Sequence, residues 1–263
     1  MENQAARDSN VVIIALRAFR DNYIWCLHNG RDAAVVDPGD AAPVLEFLRQ
    51  EKLQLCAIIC THHHADHVGG NAELLRKYNA VVFGPATENI PGASRSVREG
   101  DHISIPRLQL EFTVLDIPGH TAGHIAYFGE GVLFCGDTLF SCGCGRLFEG
   151  TPAQMVASLR KLGGLPGETL VYCGHEYTLA NLRFAHAADA GNAKLRERQA
   201  EVEAALSRGL PSLPSTIASE LVLNPFLRAH LPALAESASR HAGRPLNSEV
   251  EVFAALREWK NIY

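Results

Sequence analysis

The segment Thr61-His62-His63-His64-Ala65-Asp66-His67 places five side chains of metal-ligand type within six residues. An apolar core gains nothing from four histidines and an aspartate packed together, and burying them unpaired would cost roughly 2 kcal/mol or more each. The run therefore reads as a metal site. In an extended loop His62 and His64 project to one side and His63 points away. At coordination distances of roughly 2.0–2.2 Å, His62 and His64 can share one ion. Asp66 and His67, at the turn into a helix, can hardly reach that ion, which points to a second metal beside the first. Three later positions repeat one local grammar, a strand followed by a Gly-containing turn that carries a ligand type: His120 in IPGHTAGH, Asp137 in LFCGDTLF and His175 in VYCGHEYT. Strand ends are where rigid scaffolds present chemistry. Seven ligands suit two metals, and a carboxylate such as Asp137 has two oxygens with which to bridge them. Zinc is the first expectation, with iron or manganese as alternatives, because imidazole and carboxylate accept all three.

The elements that must hold these residues are legible as short β-branched runs: Val11 to Leu16, Tyr23 to Leu27, Ala33 to Asp37, Cys56 to Cys60, then around Ala80 to Phe83, Leu108 to Leu115, Ile125 to Phe128, Val132 to Cys135 and Thr169 to Cys173. Helices are predicted near Ala41 to Gln50, His67 to Lys77 and Pro152 to Leu162. For the last, Thr151 can act as N-cap, Pro152 suits the first position and Gln154 completes a capping-box spacing. After about Tyr177, Ala, Leu, Glu and Arg dominate, and Pro211, Pro214 and Pro225 divide the remainder into several short helices. Residues 1–176 are thus expected to form an α/β domain that carries all seven candidate ligands and 177–263 a small all-helical second domain.

A chain of 263 residues with 47% hydrophobic and 20% charged residues buries an ordinary core. Its formal net charge of −5 does not advertise a phosphate-neutralising surface, so no nucleic-acid partner is expected. No run of 18 apolar residues free of charge points to a membrane span. The opening MENQAARDSN is polar, without a secretory signal pattern, and seven cysteines do not read as a disulfide framework. A cytoplasmic monomer with reduced thiols is the expectation.

The motifs T-H-x-H-x-D-H, G-H-T-x-G-H, G-D-T-L-F and G-H-E-Y-T resemble the metallo-β-lactamase superfamily and, within it, the glyoxalase II family of hydroxyacylglutathione hydrolases. The resemblance covers essentially the whole chain and implies an αβ/βα sandwich followed by a helical C-terminal domain. It implies that His62, His64 and His120 hold one ion and Asp66, His67 and His175 the other, with Asp137 and a hydroxide bridging them; Asp66 and Asp137 are the catalytic carboxylates. The implied substrate is a glutathione thioester such as S-D-lactoylglutathione. Arg257 and Lys260, two cations at i and i+3 on one helix face, suit a carboxylate, and they match the basic pair that grips the glycine carboxylate in that family. Tyr177 is the matched hydroxyl. The likeness departs in Cys144-Gly145-Arg146-Leu147-Phe148, where the family often has Lys and Tyr. Arg146 keeps the charge, whereas Phe148 lacks the hydroxyl.

A dinuclear site makes hydroxide available at neutral pH and polarises a carbonyl, which is hydrolytic chemistry. A thioester expels a thiolate whose conjugate acid titrates near about 8.5, so it needs little protonation as it leaves. An amide would need a proton donor, and none is identifiable. The competing readings are a glutathione-persulfide dioxygenase with one iron, a lactonase with no need of the basic pair, and a non-catalytic metal-binding protein. His63 is expected to be a non-ligand and His124 to support the ligands. Cys142 and Cys144 are expected to sit in a loop lining the site, and Ser158-x-x-Lys161 is a chance pattern.

Overall fold

A computed structural model of the chain describes residues 11–263, so the polar opening used above lies outside the described residues. The described residues form two compact units, one of residues 11–116 together with 123–136, the other of residues 117–122 together with 137–263.

The first unit contains β1 (Val12–Ala18), β2 (Asn22–His28), β3 (Asp32–Val36), α1 (Ala41–Gln50), β4 (Gln54–Ile59), α2 (Ala65–Val68), α3 (Asn71–Lys77), β5 (Val81–Pro85), β6 (Arg95–Val97), β7 (His102–Ile105), β8 (Leu110–Asp116), β9 (Ile125–Gly129) and β10 (Val132–Gly136). Strands β1 to β6 make one sheet in sequential order. It is antiparallel from β1 to β3 and parallel from β3 to β6. Strand β3 is buried along its whole length and β4 at all but its first residue, as expected of parallel strands covered on both faces. One side is covered by α1, whose Val44 and Leu48 join Val35, Ile58 and Val82 in a single core. Asp40 caps α1 by accepting from Ala42 N. Strands β7, β8, β9 and β10 form an antiparallel meander in the same unit.

The pairing of Val36 with Ile59 brings the C-terminal ends of β3 and β4 together, and the ligand-bearing loop leaves from that edge. The predicted helix over His67 to Lys77 is in fact two helices, α2 and α3, meeting at Gly69-Gly70. The Gly70 amide donates to Pro38 O at 2.9 Å rather than back into α2, which breaks the helical ladder. A Cβ on residue 70 would lie 2.6 Å from that same oxygen, so only glycine permits the approach that seats α2 on the Asp37-Pro38-Gly39 turn.

The second unit contains the hairpin β11 (Leu139–Phe140) and β12 (Gly143–Cys144), then α4 (Pro152–Gly163), β13 (Leu170–Cys173), α5 (Thr178–Ala188), α6 (Lys194–Ser207), β14 (Ser215–Thr216), α7 (Ile217–Leu223), α8 (Pro232–Ala242) and α9 (Glu249–Ile262). The capping box at Thr151 and Gln154 is formed. Pro211 and Pro214 fall between α6 and α7, and Pro225 follows α7. The core joins Leu182, Ala185, Leu195, Val202 and Leu223 to Cys142 of the hairpin. This unit does not begin at the composition change near Tyr177, because the hairpin and α4 already pack on α5 and α9. No helix among the described residues is long and apolar enough to cross a membrane.

Buried polar side chains hold the hairpin. Cys142 N donates to Glu220 Oε2 at 2.8 Å, and Asn224 Nδ2 donates to Phe140 O, Gly143 O and Glu220 Oε2. Glu220 is fully buried. Burial raises its carboxyl above the ordinary range against the opposing pull of these donors and Arg198. A carboxyl whose folded pKa is raised favours the fold while protonated and loses that contribution as pH rises through the folded value. Glu220→Gln, which keeps an accepting oxygen without the charge, is therefore expected to raise the unfolding midpoint by roughly 2–4 °C, about 1 kcal/mol. The gain should be larger at alkaline than at acid pH. Thermal unfolding at both ends of the range checks it, and a variant less stable than wild type at alkaline pH would disprove it.

Candidate metal centre

In the first unit the hydrogen-bond network assigns the imidazole tautomers. Thr61 Oγ1 donates to Asp37 Oδ2 at 2.7 Å, since a carboxylate only accepts. His62 Nδ1, 3.0 Å from that hydroxyl, must then be the donor, which leaves Nε2 with its lone pair. His67 Nδ1 meets Asp37 Oδ2 at 3.1 Å, so its Nε2 also presents a lone pair, 3.6 Å from Asp66 Oδ2. In the neutral ring a lone pair facing a carboxylate is repulsive unless a proton or a metal cation lies between them. His62 Nε2 and His64 Nδ1 are 3.2 Å apart, close to the roughly 3.3 Å between two nitrogens that share a tetrahedral zinc at about 2.0–2.1 Å. His62 and His67 are buried and His64 half-buried. Ligand atoms of Asp37, His62 and His67 lie within 4.8 Å of one another.

The surroundings hold these rings in place. His124 stacks on His62 with centroids 4.5 Å apart and gives its Nδ1 proton to Ile125 O. Asn22 Nδ2 donates to Asp66 Oδ2 at 3.0 Å. His63 turns to Glu88, with Nδ1 2.9 Å from Oε2, and the same carboxylate accepts from Gly123 N. Asp37 was not among the residues expected from sequence, although Ala-Ala-Val-Val-Asp-Pro-Gly ends a strand in a glycine turn just as the three later motifs do. Because it orients His67 and braces Thr61, Asp37→Asn is expected to lower metal affinity or activity by about 10–100-fold. Metal titration of the variant decides this, and wild-type affinity would remove Asp37 from the site.

The second unit presents His120, Asp137 and His175, all buried. His120 Nδ1 donates to Arg146 O at 2.8 Å, so again Nε2 holds the lone pair, 3.5 Å from Asp137 Oδ2. His175 Nε2 is 3.2 Å from the same oxygen. The donor set therefore fits divalent metal on its own chemistry. Tyr177 stacks flat on His175 at 4.7 Å, and Phe140 abuts both rings edge-on. Phe148 stands edge-on to His120 at 5.2 Å and is 63% exposed.

The basic pair in α9 differs from a solvated charged face. Arg257 is only 5% exposed; it donates to Cys144 O at 2.6 Å, lies over the Phe226 ring, and leaves its Nε without a hydrogen-bond partner. Lys260 Nζ hydrogen-bonds Asn181 Oδ1. Burial, and after it the neighbouring Arg257, hold the Lys260 ammonium down to about 7, with Arg146 adding to the effect. Trp259 faces the other way, stacked on His241 and edge-on to Phe184. The thiols of Cys142 and Cys144 are pushed up by burial, so neither offers a thiolate for metal or redox chemistry.

Comparison with known proteins places these features in context. The family model of the metallo-beta-lactamase superfamily matches residues 18–175, and that of the hydroxyacylglutathione hydrolase C-terminus matches residues 176–263. Relatives named hydroxyacylglutathione hydrolase include one from Nitrosomonas eutropha and one from Alkalilimnicola ehrlichii. Each is 57% identical, covering 95% of this chain and 98% of the relative. Among solved structures, ETHE1 from Myxococcus xanthus superposes with a TM-score of 0.62 at 27% identity, over 92% of this chain and 91% of its own.

Proposed function

The chain belongs to the metallo-beta-lactamase superfamily and, within it, to the hydroxyacylglutathione hydrolases, and from that premise we propose that it hydrolyses S-D-lactoylglutathione and related S-2-hydroxyacylglutathiones to glutathione and a 2-hydroxy acid. It is a hydrolase with the metallo-beta-lactamase fold, to which a helical C-terminal region is added. The observation that carries the substrate reading is the buried Arg257, half of a cationic pair in a region that matches the C-terminal family of these hydrolases. A buried cation with an unused donor calls for an anion, and the glycine carboxylate of glutathione is such an anion. Residues 1–176 then carry the chemistry and 177–263 the recognition of the thiol carrier.

The family implies divalent metals. We assign one ion, zinc in the first instance, to His62, His64 and His120, a second to Asp66, His67 and His175, and the bridging position to Asp137. Ions held there would lower the pKa of water toward about 7 and would polarise a carbonyl oxygen. The protein's own part is to hold ligating nitrogens in their lone-pair form at three of the five imidazoles. Asp37 does so for His67, Thr61 for His62 and the Arg146 carbonyl for His120. Asn22 steadies the Asp66 carboxylate, Tyr177 offers a hydroxyl to the glutathione moiety, and Arg146 adds positive charge. Phe148 presents an apolar face beside His120 to the acyl group. The thiolate leaving group needs no protein acid.

All proposed ligands come from one chain, so a monomer suffices, and seven free buried cysteines suit the reducing cytoplasm in which glutathione is kept as the thiol. The deciding experiment follows loss of thioester absorbance from S-D-lactoylglutathione alongside metal analysis of the same preparation. Two ions per chain and turnover are expected. Oxygen consumption with glutathione persulfide and one iron per chain, without thioester hydrolysis, would overturn the reading.

A further inference from the structure

The Lys260 side chain is held by a neutral partner. Asn181, on α5, is completely buried. Its Nδ2 donates to Ser141 O at 2.8 Å, which settles the amide orientation and leaves Oδ1 to accept from Lys260 Nζ. The amide lies close against the hairpin backbone, since a Cβ on Gly143 would lie 2.5 Å from its Cγ and Nδ2. The charged and titratable groups acting on Lys260 are Arg257 on α9, Arg146 in the following loop, and Cys142 and Cys144 of the hairpin. The first two are cations and the thiols stay protonated.

We propose that Asn181 is the positioning residue of the carboxylate pocket: its amide aims the Lys260 ammonium without neutralising it, so that the charge of Lys260 and Arg257 is kept for a carboxylate on the bound molecule. This rests on the glutathione reading above. An aspartate at this position would close an internal ion pair and compete with the ligand, whereas alanine would leave the ammonium without an acceptor. Because burial and Arg257 hold that ammonium near 7, a carboxylate arriving above neutral pH must draw a proton onto Lys260.

The test is calorimetric and needs no turnover. S-methylglutathione and its glycine amide are titrated into the full-length, metal-loaded protein, with buffers of different ionisation enthalpy to count protons. Wild type is expected to prefer the free carboxylate at least tenfold and to take up a fraction of a proton near pH 7.5 with that ligand only. Asn181→Asp should erase both the preference and the proton uptake, and Asn181→Ala should reduce the preference several-fold. A purely structural residue would weaken both ligands equally and leave proton uptake unchanged, and that outcome overturns the proposal. So does a wild type that shows no preference. A wild type that shows the preference but does not cleave the thioester would refute the proposed reaction and leave the pocket standing.

Discussion

Asp137→Ala is expected to lower kcat/KM for S-D-lactoylglutathione by on the order of 10³-fold and to strip metal from the protein as purified. Its Oδ2 lies 3.2 Å from His175 Nε2 and 3.5 Å from His120 Nε2. Of the proposed ligands it alone is assigned to both ions, so its loss opens a coordination position on each. Electrostatic stabilisation by a bound ion is worth several kcal/mol at the transition state, and each 1.36 kcal/mol is a factor of ten in rate. Asp137→Asn separates charge from shape. Its amide fills the same space but supplies one neutral oxygen, so it should retain more metal than alanine while recovering little rate. Kinetics and metal content are measured on the same preparations. Wild-type metal content with less than a tenfold loss of rate would remove Asp137 from the bridging role.

The parts of this site that carry a local pattern, the histidine run and the strand-to-glycine turns at His120, Asp137 and His175, are legible in the sequence, and those defined only by long-range contacts are not. His62 to His67 declare themselves because no packing requirement explains four imidazoles in six residues. Strands β3 and β4 appear as apolar runs because both are almost entirely buried. By contrast, the break between α2 and α3 depends on a hydrogen bond from Gly70 to Pro38, 32 positions earlier, and no local pattern records it. Asp37 carries no such mark, because an aspartate before Pro-Gly is also an ordinary turn former; only its three contacts to Thr61 and His67 give it a role. Glu220 reads as one more polar residue on a short helix until Cys142, 78 positions away, is found donating to it. Strands of two to four residues such as β6, β7, β11, β12 and β14 are too short to show alternation at all.

The Arg257-Lys260 pair shows the same limit, since i and i+3 spacing on an amphipathic helix describes a solvated face as well as a binding one. Burial separates the two and sets the size of the expected effect. Arg257→Ala combined with Lys260→Ala should cost kcat/KM for a glutathione thioester on the order of 10²-fold. A charge-assisted hydrogen bond is worth about 1.5–3 kcal/mol, and at 5% exposure Arg257 loses little of that to solvent screening. Lys260, half-deprotonated near pH 7, contributes less, and about 3 kcal/mol for the pair corresponds to roughly two decades. Most of the loss should appear in KM, because a carboxylate remote from the reacting carbonyl is held equally in ground and transition states. Arg257 also braces Cys144 O, so the double variant needs a control that separates recognition from a loosened hairpin. A small thioester without the glycine carboxylate serves, and it should lose far less. Lys260→Met leaves the Arg257 contact intact and adds a pH signature. In wild type, KM for the carboxylate substrate should climb as pH rises through about 7 and Lys260 sheds its proton, whereas in Lys260→Met it should stay flat over that range. Equal losses on both thioesters, together with a flat wild-type profile, would make the pair a structural brace and leave the recognition of glutathione without its cationic anchor.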